Sequence, residues 1–194
     1  LVDTGNVNFL YEYPKADDIS EEQKKYIQDY IHLFETALIS EGFKSIENGY
    51  RQFIDLDSFI DFFILNEFSK NPDGFRLSTY LHKEKGGKLK MGPIWDFNLA
   101  FGNVNYCDGD SPHGWAHRFN DICSGDNWQV PFWWNRFLDD PEYVGFLKER
   151  WAILRSEILS SDTVSGRLRE LQENLKGSSA IDKNFGKWLI LGKY

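Results

Sequence analysis

Between Asp57 and Asn103 the chain passes from a helix-forming stretch through a proline stop and a hairpin into the segment Trp95-Asp96-Phe97-Asn98, and that order restricts how the rest can fold. Asp57 or Ser58 can cap a helix whose Phe59, Phe62, Phe63 and Asn66 share one face. Lys70-Asn71-Pro72 ends it, because the residue before a proline is pushed out of the helical region. Asp73-Gly74 follows in a loop. Ser78–His82 reads as a strand, Glu84–Gly87 as a turn and Lys88–Ile94 as a returning strand. A hairpin leads the chain out and back, so Asp73 before it and Asp96 after it are expected near each other. Two carboxylates facing one cleft repel and resist burial. A divalent cation between them, or a hydroxyl proton for one to accept, makes the arrangement favourable. Two solvated turn residues capping nearby backbone remain the plain alternative.

The flanking segments divide one domain into four parts. Residues 1–56 contain an extended start, with Asn8–Tyr13 strand-like, then a helix behind the capping box Ser20-Glu21-Glu22-Gln23. Its stripe is Tyr26, Ile27, Tyr30, Ile31, Phe34, Ala37 and Leu38, with His32 beside it on the surface and Gly42 as its stop. Residues 57–103 are the core just described. Residues 104–130 read as a long loop holding Cys107, Asp108-Gly109-Asp110, His113, His117, Arg118, Asn120 and Asp121, and a loop of that length in a compact domain is usually functional or partly structured. Calcium at Asp108–Asp110 lacks the full twelve-residue pattern, and a metal held by His113 and His117 competes with a solvated turn. Residues 131–194 read as a helical subdomain. In it Trp133 and Trp134 are core, Asp140-Pro141 opens a long helix, Asp162 caps the next, which stops at Gly177, and Ala180–Leu191 is the last. Arg150 or Arg155 is available to pair with an acid of the core.

With 41% hydrophobic residues, 16 Phe, 9 Tyr and 7 Trp, the chain has the ring area for a substantial core. A net charge of −8 argues against an extended nucleic-acid surface, so no nucleic-acid partner is expected. No run of 18 apolar residues is present, so this segment has no membrane span. Cys107 and Cys123 have no zinc-type spacing, and both a disulfide and two free thiols stay open.

The stretches SFIDFFILNE (Ser58–Glu67), N-x-D-G-F (Asn71–Phe75), S-T-Y-L (Ser78–Leu81) and GKLKMGPIWDFNLAFGN (Gly87–Asn103), with WWNRFLDDP (Trp133–Pro141) and E-R-W-x-x-L-R (Glu149–Arg155), resemble the spore-coat protein H-like (CotH) kinase family. The resemblance covers most of the chain. It implies an α+β, predominantly helical fold: an atypical protein-kinase-like C-lobe with a small catalytic β-hairpin. It implies ATP and Mg²⁺ as cofactors and a protein substrate with a serine or similar hydroxyl as partner, in a bacterial exported or cell-surface protein. Helix, loop, hairpin and then a metal-binding aspartate is also the order of protein kinases. On that mapping Asp73 is the catalytic base and Asp96 the Mg²⁺ ligand. Asn98 is a further metal and cofactor contact, Asn71 and Ser78 are cofactor contacts, and Asn66, like Asn71, gives supporting ligation or braces the loop. Trp95 and Phe97 pack and aim Asp96.

Two positions depart from the pattern. Ser78 stands where kinases carry an asparagine ligand, and Asn98 stands where many relatives carry a second aspartate. Residues 1–56 contain no strand-rich, Gly-rich nucleotide-covering lobe, so the N-lobe is expected to be largely absent and the segment inactive alone. A non-catalytic pseudokinase or a cell-surface adhesin module is the alternative.

Overall fold

Helix α1 (Glu21–Ile39) begins at the expected capping box. The Gln23 amide donates to Ser20 Oγ at 3.2 Å and the Ser20 amide to Gln23 Oε1 at 2.9 Å, which satisfies two otherwise orphaned donors. The computed structural model describes residues 8–190. The extended reading of residues 1–7, and position 191 of the last expected helix, lie outside the described residues. Asn8–Tyr13 is not a strand. Among the described residues no strand pairs with it, and Phe9 instead stacks on Trp133 with ring centroids 5.6 Å apart.

Helix α2 (Leu56–Ser69) starts earlier than Asp57 or Ser58 would set it. Asp55 is the cap, its Oδ1 accepting from the Ser58 amide at 3.0 Å, and Asp57 falls in the first turn, where its charge suits the helix dipole. The helix ends where expected. The device is Lys70 in the left-handed region, φ 44°, as well as the proline that follows.

Strands β1 (Leu81–Lys83) and β2 (Leu89–Met91) pair antiparallel, with Leu81 opposite Met91 and Lys83 opposite Leu89. Both are shorter than Ser78–His82 and Lys88–Ile94. Ser78 and Thr79 are drawn back onto the Asp73 loop, and β2 gives way at Gly92-Pro93, where proline has no amide to donate. Leu89 is bound on its other side to the segment before α2: its amide donates to Phe53 O at 2.9 Å, and the Asp55 amide donates to Leu89 O at 2.8 Å. The fold is therefore α+β and about half helical, with one two-stranded sheet among the described residues.

Helices α3 (Phe119–Ile122) and α4 (Trp133–Leu138) follow, and α5 (Pro141–Ser156), α6 (Ser161–Gly177) and α7 (Ala180–Lys187) complete the order. Contacts divide the chain into two units, Leu1–Leu147 and Lys148–Tyr194. Helix α4 lies in the first unit, and α6 and α7 lie in the second. Trp134 packs among Phe59, Phe62, Phe63, Phe75 and Phe137, and Trp133 against Phe34, so both tryptophans are core as expected. In the second unit α6 and α7 pack on each other, and α6 is capped by Ser160, two residues before the expected cap Asp162, which falls in the first turn. Arg155 bonds to Leu159 O and Ser161 Oγ.

In the first unit the buried Asp140 pairs with Arg51. Asp140 is buried and accepts from Arg51, from Tyr50 Oη at 2.9 Å and from the Glu142 amide at 3.1 Å. Burial alone would raise its pKa, but the bonds from Arg51, Tyr50 and the Glu142 amide, with the Arg51 charge, outweigh burial and hold it below its ordinary value. A depressed folded-state pKa gives stability that is full above about pH 4 and is lost as pH falls through the folded value. Asp140→Ala leaves Arg51 with Glu142 as its remaining ionic partner and the buried Tyr50 hydroxyl without its acceptor, and is expected to cost about 1–3 kcal/mol at neutral pH. Urea titrations will show that gap to wild type shrinking below about pH 4.

Candidate active site

The end of α2 and the loop after it are held by two buried amides. Asn66 Nδ2 donates to Phe62 O at 3.0 Å, Asn71 Nδ2 reaches Asn66 Oδ1 at 3.4 Å, and the Asp73 amide donates to Asn71 Oδ1 at 3.3 Å. Both asparagines are buried, so Asn66 and Asn71 spend their side chains shaping the Asp73 loop from below. Gly74 is the reason the loop lies so close. A Cβ at position 74 would fall 1.9 Å from Asn66 Oδ1. Gly74→Ala therefore displaces a buried amide and is expected to cost about 1–3 kcal/mol in chemical denaturation. Adding Asn66→Ala should recover part of that loss, since the two groups occupy the same space.

Asp73 is half-buried and its two oxygens differ. Oδ1 accepts from Arg76 Nη2 at 2.7 Å and from Tyr106 Oη at 3.2 Å. Oδ2 accepts no hydrogen bond among the described residues. Burial first, and then the Asp73 charge, raise the Tyr106 hydroxyl above its ordinary value, so it remains a donor at neutral pH. The Asp73 carbonyl accepts the amides of Leu77 at 3.0 Å and Ser78 at 3.1 Å, which folds the Ser78 segment against the loop.

Asp96 and Asn98 lie in an exposed loop between β2 and Ala100. Asp96 has φ 62°, in the left-handed region that aspartate enters more readily than most residues. Its carboxylate makes no hydrogen bond or ion pair among the described residues. Asn98 O accepts from Asn103 Nδ2 at 2.7 Å, leaving its side-chain amide free in the loop. Trp95 does not pack as expected, being 59% exposed. The loop is aimed by its ends instead: the Gly92 amide donates to Tyr80 O at 2.8 Å and the Phe101 amide to Ser69 O at 2.7 Å. The second bond brings the Asp96 loop to the same end of α2 as Asp73, although no hydrogen bond joins the two aspartates.

The segment 104–130 is structured, with a 3-10 turn at Ala116–Arg118, α3, and a disulfide between Cys107 and Cys123 whose Cα atoms are 5.7 Å apart. Glu67, which the sequence reading passed over, anchors it. Its buried carboxylate accepts the amides of Ala116 and His117, each at 2.8 Å, and His117 Nδ1 at 2.7 Å. His117 is thus turned inward while His113 is exposed, and the two share no helix face. Arg76 and Tyr106 were passed over as well. A Glu inside the apolar run of α2 was a signal, since a buried carboxylate requires donors. Arg three positions after Asp73 was a weaker one.

Among the described residues no group of three or more His, Cys, Asp and Glu is placed to hold a metal. Magnesium that travels with a nucleotide needs less, because one or two carboxylates serve alongside phosphate oxygens and water. Asp96, free of protein partners, and the amide oxygen of Asn98 are donors of that kind.

The family model described as CotH kinase protein matches residues 3–194. No curated protein and no solved structure gives a significant match.

Proposed function

This chain belongs to the CotH kinase protein family, and on that premise we propose that it is the catalytic core of an atypical, kinase-like phosphotransferase acting on a serine or similar hydroxyl of a protein. The observation that carries the proposal is a pair of carboxylates on two loops tied to one end of α2, each with oxygen free of protein partners. Asp73, braced from below by Asn66 and Asn71, accepts the acceptor hydroxyl's proton at Oδ2 while Arg76 and Tyr106 keep Oδ1 in place. Asp96 and Asn98 hold Mg²⁺, and Ser78 borders the nucleotide. Mg–ATP, when bound, supplies the phosphoryl group and neutralises the charge that develops on it. The helix α2, Asp73 loop, hairpin and Asp96 loop correspond on this reading to the C-lobe of a protein kinase. The Cys107–Cys123 disulfide suits an oxidising, exported location.

The test is calorimetric titration of the full-length protein with ATP, with and without Mg²⁺, followed by phosphate incorporation. Binding is expected to need Mg²⁺ and to weaken about tenfold or more in Asp96→Ala. Absence of any Mg²⁺- or Mn²⁺-dependent nucleotide binding would instead favour the non-catalytic binding module, which the serine at position 78 also suits.

A further inference from the structure

Both ends of the disulfide-closed segment grip the same carboxylate. Tyr106 stands directly before Cys107, and its hydroxyl donates to Asp73 Oδ1. On the far side of Cys123, Asp126 and Trp128 reach Asp73 through Arg76. Arg76 Nη1 donates to Asp126 Oδ1 at 3.2 Å and to Trp128 O at 3.0 Å, while Nη2 holds Asp73 Oδ1. Its Nε donates to Pro72 O at 3.1 Å, and the guanidinium lies 3.9 Å over the Phe119 ring. The Arg76 side chain is only 3% exposed. Asp126 in turn is set by Cys123, whose carbonyl accepts its amide at 3.1 Å, and Gln129 Nε2 donates to both Cys123 O and Asp126 O.

We infer that the Cys107–Cys123 segment is a clamp on Asp73, with Arg76 and Tyr106 as positioning residues that occupy Oδ1 and leave Oδ2 as the one oxygen presented to the acceptor. Arg76 suits this post because a planar guanidinium donates in several fixed directions at once, which the single ammonium of lysine cannot do. The disulfide suits it because it keeps the Tyr106 arm and the Asp126–Trp128 arm at a set separation. Opening it frees one arm from the other. The assignment of Oδ2 rests on the proposed phosphotransfer; the clamp itself rests on the contacts alone.

The experiment compares wild-type full-length protein, oxidised and reduced, with Arg76→Lys, Tyr106→Phe and the paired Cys107→Ser/Cys123→Ser variant. Hydrogen–deuterium exchange is followed over residues 73–79, where Leu77 and Ser78 donate to the Asp73 carbonyl, and over α2 as the folding control. The expected result is exchange about tenfold faster over 73–79 in Arg76→Lys and in the disulfide-free protein, with α2 protection retained. Phosphotransfer kcat falls about tenfold with the nucleotide KM within about twofold, and none of these changes costs further rate in an Asp73→Asn background. Tyr106→Phe removes one hydroxyl from a partly exposed ring and serves if Arg76→Lys proves unstable.

Unchanged exchange over 73–79 when the disulfide is opened, or rate losses that add to Asp73→Asn, overturn the clamp. A protein that transfers no phosphate in any form overturns the proposed function, and the exchange measurement still decides the clamp.

Discussion

Asp73→Asn is expected to lower phosphate transfer by about 10²–10⁴-fold while leaving Mg²⁺-dependent ATP binding within about twofold of wild type. The substitution is nearly isosteric. An asparagine oxygen can still accept from Arg76 and Tyr106, so the loop stays where Asn71 and Gly74 put it. What it removes is the second carboxylate oxygen, the one with no protein partner, and with it the site for the acceptor's proton. Arg76 keeps its bonds to Asp126, Trp128 and Pro72, so a thermal melt should show only a small shift. Steady-state rates beside calorimetric titration separate the two aspartates, because Asp96→Ala loses the nucleotide–metal complex and Asp73→Asn loses only what happens to it. Retention of rate within about threefold in Asp73→Asn would remove Asp73 from the base role, since that loss is too small for general-base catalysis.

Helical spacing and stop residues made much of the first unit legible. The Ser20 capping box, the α2 stop at Lys70–Pro72, the hairpin, and the burial of Trp133 and Trp134 all follow from local rules that act over a few residues. Boundaries were harder wherever a side chain had a rival use. Ser78 and Thr79 read as strand by composition, but the Asp73 loop draws them back, and no local pattern signals that. The candidate site divides in the same way. Asp73 and Asp96 were visible because a loop aspartate on each side of a hairpin is a sequence-order feature. Glu67, Arg76 and Tyr106 were harder to assign, because each makes contacts between the segment 104–130 and the α2–Asp73 region that exist only once the chain has folded. Cys107 and Cys123 illustrate the limit: their spacing permits a disulfide and equally permits two thiols, and only the approach of their Cα atoms decides it.

Trp134→Ala is expected to cost about 3–5 kcal/mol, as a large lowering of the urea midpoint. Its ring meets Phe62 in a stacked contact at 5.9 Å and Phe75 edge-on at 4.9 Å, with Phe59, Phe63 and Phe137 closing around it. Those rings come from α2, the Asp73 loop and α4, so the cavity would open where three segments meet and no single one can collapse into it. Trp128→Ala is the control: that side chain is 53% exposed, and its truncation should move stability by no more than about 0.5 kcal/mol. Phe75 makes the consequence for the site specific. It follows Gly74 directly, rests on Trp134, and also contacts Phe63 and His117, so it is the floor on which the Asp73 loop stands. Loss of the Trp134 ring should therefore lower kcat at temperatures where the variant is still folded, while Asp96, in a loop held through Gly92 and Phe101, keeps its nucleotide affinity. Trp134→Phe, which leaves a smaller ring in the same seat, should restore most of the stability and most of the rate together, because both depend on the same packed surface beneath Phe75.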